Sequence, residues 1–197
     1  IVLKYNAIQM AQNFPQIDRT AYKTYSEVIG FINDIENNYP DIAKIYEIGQ
    51  SIEERPILAL KISSDPGVNL PDKPEIVIVS MHHANEWPTL EFALSLAFKL
   101  TSEYSLDNDI KTLVDNSEIW IVPLLNPDGY IYSYNEHGDS MISWRKNRRP
   151  NYGDSYNTPC NSNEDCENTM ECSPENVCVY YGVDLNRNYS YKRGYGS

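Results

Sequence analysis

The sequence predicts an α/β domain in which a mixed β-sheet is flanked by helices on both faces. Short, nearly continuous apolar runs at 76–81 and 119–125 read as strands buried on both sides. Segments of helical period at 25–35 and 89–100 alternate with them, the pattern of an α/β layer structure. The length of 197 residues, with 41% hydrophobic content, suits one core and is too little for two domains of ordinary size.

Residues 1–21 show no sustained period and read as a leader or the remnant of a pro-segment, so the domain is expected over 22–197. After Thr24, the apolar side chains Tyr25, Val28, Ile29, Phe31, Ile32 and Ile35 recur at helical spacing, and Asn37-Asn38-Tyr39-Pro40 ends the run. Ala43 to Ile48 and Pro56 to Ile62 flank a polar stretch beginning Gly49-Gln50-Ser51, a hairpin pattern. Ile76 to Met81 is a strand. Pro88 then falls in the first turn of a helix running through Thr89 to Leu100, where proline's missing N–H does no harm. Ile119 to Leu125 is a second buried strand, and Asn126-Pro127-Asp128-Gly129 after it reads as a turn. There is no internal repeat.

Charge and cysteine content narrow the function. The 28 acidic and 16 basic residues leave a net charge of −12, a field that repels phosphate backbones and anionic lipid surfaces. Neither nucleic acid nor a membrane is expected as a partner. No apolar stretch approaches the roughly 20 residues that cross a bilayer. Cys160, Cys166, Cys172 and Cys178 recur every six residues in a stretch of Asn, Asp, Glu and Ser with almost nothing apolar to fold around. Such a segment orders most easily when stapled. Structural zinc sites usually contain a C-x2-4-C pair, which is absent, so two disulfides are expected within this set and none to the rest of the domain. Disulfides imply an oxidising compartment: secreted or extracellular, lysosomal or vacuolar.

In open α/β sheets ligands bind beyond the carboxyl ends of the strands, so His83-Ala84-Asn85-Glu86 and Asn126 to Gly129 stand where a site belongs. An imidazole and a carboxylate three residues apart suit Zn²⁺, although taken alone such a pair is more often a polar strand end. His82 alternates with His83 and is expected to point elsewhere. In the basic run Ser143 to Arg149, the residues Lys146, Arg148 and Arg149 read as a solvated face. Further on, Asn186-Arg187 pairs an amide with a guanidinium, whose planar fork grips a carboxylate at two points.

Taken together, these segments resemble the zinc carboxypeptidase family that includes the pancreatic carboxypeptidases A and B, and especially its bacterial and thermophilic branch. The likeness rests on Gly49-Gln50-Ser51 to Arg55-Pro56-Ile57, the His83 to Glu86 segment, Asn126-Pro127-Asp128-Gly129, Trp144-Arg145-Lys146 and Asp184-Leu185-Asn186-Arg187-Asn188. It covers roughly 22–196 and implies the N-terminal part of a catalytic domain, with the family's fold present only in part.

The resemblance implies a Zn²⁺-dependent exopeptidase acting on peptide and protein C-termini. By that likeness His83 and Glu86 are the first two zinc ligands. Arg145 polarises the scissile carbonyl and holds the oxyanion, and Asn186 and Arg187 bind the terminal carboxylate. Asn85 stands where many members carry a substrate-contacting arginine, which puts that contact in doubt. The family's third ligand, a histidine, and its general base, a glutamate, would fall beyond Ser197. His137 lies in a variable loop and is a poor substitute. The 197 residues alone are therefore expected to be inactive, with the remaining half expected on the same or a separate chain. The stretch 151–179 reads as an insertion. A second reading is a non-catalytic relative that keeps the carboxylate clamp and uses the Cys-rich insert for partner contact. A third, a cytosolic deglutamylating relative, is disfavoured by the clustered cysteines.

Overall fold

The computed structural model describes residues 22–134, 144–151, 159–163, 166, 171–172 and 176–189. The expected leader over 1–21, His137 and part of the insert lie outside the described residues. The described chain forms two compact units, one of 22–48, 58–80 and 87–125, the other of 49–57, 81–86 and the described residues from 126 onward.

In the first unit, α1 (Tyr25–Asn38) begins at a reciprocal cap: the Thr24 side chain accepts from the Glu27 N–H, and the Glu27 carboxylate accepts from the Thr24 N–H at 2.7 Å. It buries Val28, Ile32 and Ile35. Strands β1 (Ala43–Gln50), β2 (Pro56–Ile62), β3 (Glu75–Val79) and β4 (Glu118–Val122) form one sheet in the order β1-β2-β4-β3. β2 runs antiparallel to β4 and β3 parallel to it, so the sheet is mixed as expected. Helices α2 (Trp87–Ser102) and α3 (Asn108–Asp115) complete the unit.

The register sets the core. Leu60 stands opposite Ile121 and Ile62 opposite Ile119, which puts all four on one face. That face shares a single core with Ile35 of α1, Ala93, Ala97 and Leu100 of α2, and Ile110 and Val114 of α3. On the other face Lys61 lies opposite Trp120, its ammonium 5.1 Å from the indole centre and 2.6 Å from Glu118. Both charges of that pair are buried.

Two strands end earlier than their apolar runs suggest, β3 at Val79 and β4 at Val122, because the apolar residues that follow turn into loops. The sequence reading also missed α3. It is only eight residues long, too short for a sustained period, and it starts because the Asp107 carboxylate accepts from the N–H groups of Asp109 and Ile110.

The second unit holds α4 (Pro127–Tyr134), a three-stranded antiparallel sheet and a 3₁₀ turn at Leu185–Arg187. Its strands β5 (Pro150–Asn151), β6 (Glu171–Cys172) and β7 (Cys178–Tyr181) lie in the order β5-β7-β6. Disulfides join Cys160 to Cys172 and Cys166 to Cys178. No cystine leaves the insert. Three of the sulfurs lie within 4.8 Å of one another, but all four are covalently paired, so no thiolate is available to a metal. Asn126-Pro127-Asp128-Gly129 is a helix start instead of a free turn: the Asn126 side-chain oxygen accepts from the Gly129 N–H at 3.1 Å, and Pro127 occupies the first helical position.

Candidate metal and substrate site

The parallel neighbours β3 and β4 run directly into the two loops that matter, 81–86 and 126–129. Met81 leaves the strand with φ of 57°, a left-handed backbone that a side-chain-bearing residue adopts only at a cost. Beyond it the two histidines meet different partners. The loop is pinned from three directions. Asn126 Nδ2 donates to the carbonyls of His82 (3.2 Å) and Lys146 (3.0 Å), Ser133 Oγ donates to the Ala84 carbonyl (2.8 Å), and the Ala84 N–H donates to the Arg145 carbonyl (3.0 Å).

His83, only 5% exposed, is the centre of the cluster. Its Nδ1 lies 2.9 Å from Glu86 Oε1 and its Nε2 lies 3.1 Å from Asp184 Oδ1. Arg145 spans the same two carboxylates, Nη1 3.2 Å from Glu86 and Nε 3.5 Å from Asp184. Burial by itself would raise the Asp184 carboxyl. The hydrogen bonds from His83 and the Asn186 N–H, with the positive charge of Arg145, hold it below its ordinary value.

This donor set fits a zinc ion. With Nε2–H donated to Asp184, a neutral imidazole turns the Nδ1 lone pair toward Glu86, and the carboxylate oxygen there is also an acceptor. Two acceptors that close require something positive between them, a proton or a cation. A carboxylate behind a metal-binding imidazole is the usual arrangement that fixes the ring and its tautomer.

Arg145 and Asp184 meet because their segments are paired. Pro150 and Asn151 of β5 lie opposite Tyr181 and Tyr180 of β7. The pairing continues past the strands: the Gly182 N–H donates to the Arg149 carbonyl (2.8 Å), the Asn147 N–H to the Val183 carbonyl (3.2 Å), and the Val183 N–H to Asn147 Oδ1 (2.8 Å). Two glycines permit this fit. A Cβ at Gly129 would stand 2.5 Å from the Lys146 carbonyl oxygen. Gly182 has φ of 102°, and a Cβ there would stand 2.5 Å from Lys146 Cβ.

Of the residues singled out from the sequence, the structure gathers His83, Glu86 and Arg145 in one cluster. Asn186 and Arg187 follow Asp184 on the 3₁₀ turn with exposed side chains, the Arg187 guanidinium donating to the Asn186 carbonyl at 3.1 Å. Asn85 is also exposed. His82 has a different hydrogen-bond partner, its Nε2 bonded to the Tyr189 hydroxyl.

One expectation is overturned. Arg148 does not belong to a solvated face: it is 8% exposed, forked onto Glu171 and stacked on aromatic rings, whereas Lys146 and Arg149 are exposed as expected. Asp184, which meets His83 and Arg145, is not among the candidates that the sequence singles out. The available signal was its place at the head of Asp-Leu-Asn-Arg, a carboxylate within reach of a candidate ligand.

The sequence profile described as "Zinc carboxypeptidase" matches residues 28–197. A zinc carboxypeptidase of Saccharothrix mutabilis subsp. capreolus is 36% identical over 140 residues, 71% of this chain and 31% of that protein. Metallocarboxypeptidase A of Trichophyton tonsurans is 33% identical over 172 residues, 87% of this chain and 34% of the relative. Among solved structures, carboxypeptidase A from Helicoverpa armigera superposes with a TM-score of 0.66 at 30% identity, covering 89% of this chain and 36% of that one. The chain thus spans about a third of the length of the relatives it matches. Matched over most of its length in sequence and in fold, the chain belongs to the zinc carboxypeptidase family.

Proposed function

We propose that the chain carries the metal-binding and carboxylate-binding part of a zinc-dependent exopeptidase that hydrolyses the C-terminal peptide bond of peptides and proteins. The observation that supports this most is the convergence of His83 Nδ1 and Glu86 Oε1 at 2.9 Å, with Asp184 behind the imidazole and Arg145 alongside. His83 and Glu86 would hold the zinc. Zinc bound there would supply Lewis-acid polarisation and would lower the pKa of its bound water to about 7.

The chain's own residues do the rest of what can be assigned here. Asp184, accepting from a proton on His83 Nε2, would leave the Nδ1 lone pair to the metal. Arg145 presents fixed positive charge beside the candidate metal ligands, where a carbonyl oxygen would gain negative charge as the nucleophile adds to the scissile carbonyl. Arg187, with Asn186, would grip the terminal carboxylate and set which bond is presented. Asn85, exposed between His83 and Glu86, would offer an amide for substrate contact further from that bond in place of the relatives' arginine. The remaining ligand and the general base would come from outside these 197 residues. The two disulfides support an oxidising compartment, secreted or extracellular or within a lysosome or vacuole.

The test uses the full-length protein with a free-acid peptide and its C-terminally amidated counterpart. Arg187→Ala should lower kcat/KM on the free acid by about 10–100-fold, the worth of a charge-assisted contact, and barely change handling of the amide. Arg145→Ala should lower kcat by about 10²–10³ with less effect on KM. Wild-type rates in both variants would remove these two assignments. A wild-type protein that binds free-acid peptides and cleaves none would establish a binding module in place of an enzyme.

A further inference from the structure

We propose that the Cys-rich insert is a positioning device for the site, with Glu171 as its working residue: by gripping Arg148 it fixes the paired segments that carry Arg145 and Asp184. The consequence for catalysis rests on the exopeptidase reading; the consequence for geometry does not.

The grip is built as a socket. Arg148 donates Nη1 to Glu171 Oε1 at 3.1 Å and Nη2 to Oε2 at 2.6 Å, the two-point fork for which a guanidinium's planar geometry suits a carboxylate. Its guanidinium carbon stacks 3.8 Å from the ring centre of Tyr132, 4.4 Å from Tyr181 and 4.9 Å from Trp144. The Tyr132 hydroxyl adds a third bond to Glu171, 3.0 Å from Oε1, so the insert is tied to α4 as well. An arginine held by a fork and three rings has few rotamers left to it, and neither does the backbone that bears it.

Glu171 is in turn fixed by the staple. It lies on β6 opposite Val179 of β7, and the next pair is Cys172 opposite Cys178. Each of those cysteines is bonded to another part of the insert, Cys172 to Cys160 and Cys178 to Cys166. β7 is thus held on one side by the stapled β6 and on the other by β5, and it runs straight on through Gly182 and Val183 to Asp184. Arg148 sits on the partner segment, three positions after Arg145. Locking Arg148 to Glu171 therefore prevents the 145–151 segment from sliding along 178–184. In a strand pair a slip of one residue sends every side chain to the opposite face, which would part Asp184 from His83 and Arg145 from Glu86.

The test compares full-length wild type with Glu171→Ala and the near-isosteric Glu171→Gln. Amide hydrogen exchange at Asn147, Gly182 and Val183 should quicken about tenfold or more in Glu171→Ala, while Ile119 and Ile121 in the other unit keep their rates. On a free-acid peptide, kcat should fall about tenfold with KM nearly unchanged, and Glu171→Gln, which keeps the oxygen acceptor and loses the charge, should recover part of both effects. Unchanged exchange at the three amides would overturn the proposal. So would faster exchange everywhere with normal kinetics per folded molecule, the mark of a merely structural residue. If Glu171→Ala fails to fold, Glu171→Gln carries the same comparison. If the wild type cleaves nothing, the exopeptidase reading fails, and the exchange rates still decide the positioning role.

Discussion

At the scale of single residues, the site turns on one imidazole with a carboxylate at each nitrogen. Glu86 is local to His83, and its candidacy was legible because both residues follow one strand. Asp184 lies 101 positions away, and in the sequence its position reads as the cap of a turn, which it also is. Nothing local distinguishes a carboxylate that caps from one that caps and also steadies a ligand. Removing its charge while keeping its shape should separate the two roles. In full-length protein Asp184→Asn is expected to weaken zinc binding by about 10–100-fold, the usual loss when such a partner is replaced. A competition titration against a chelator checks this, and unchanged affinity would leave Asp184 with capping alone.

Among the elements, α4 shows how a correct local signal can be read the wrong way. Asn-Pro-Asp-Gly suits a turn, but Asn126 caps a helix, Pro127 starts it, and Asp128 reaches across to the β1–β2 connection. Buried Asp128 accepts from Ser51 Oγ at 2.7 Å, the Glu53 N–H at 3.0 Å and Arg55 Nη1 at 2.7 Å. This links two of the motifs that carried the family likeness, and only the folded chain reveals the reason. Gly129 offers a test by sign. Gly→Ala within an ordinary helix stabilises by about 1 kcal/mol. Here the added methyl would stand 2.5 Å from the Lys146 carbonyl oxygen and 2.6 Å from Asn126 Nδ2, so one of the segments must give way. Gly129→Ala is expected to destabilise by about 1–3 kcal/mol, read as a lower urea midpoint. A raised midpoint would show that the 145–148 segment yields freely.

Across the whole molecule, acidity is the common thread. Burial would raise Glu118 and Glu171, but Lys61 and Arg148 respectively hold each below the ordinary glutamate value of 4.5. Burial would likewise raise Asp184, and its hydrogen bonds with His83 and Asn186 N–H keep it below 3.8. A carboxyl whose pKa is lower folded than unfolded contributes stability in full above the unfolded value, and loses it as pH falls through the folded value. Urea midpoints should therefore be insensitive to these groups down to about pH 4.5 and fall below it. Glu171→Gln should flatten part of that acid limb. A limb of the same steepness in this variant would show that Glu171 adds nothing to it.

Period, caps and apolar runs determined by themselves the α/β class, α1, α2, the four sheet strands to within a few residues, and the stapled insert. Such features arise from forces between residues near in sequence: capping hydrogen bonds, side-chain alternation and the poor cohesion of a polar stretch. Ordered motifs added the candidates His83, Glu86, Arg145, Asn186 and Arg187. Which of these meet was decided only in three dimensions, where the register of β7 against 145–151 sets Asp184 between His83 and Arg145. The burial of Arg148 was likewise hidden. A charge in a basic run looks solvated until the partner that balances it, Glu171 in a distant strand, is brought alongside, because the cost of desolvating an ion is offset only by contacts that the tertiary structure supplies.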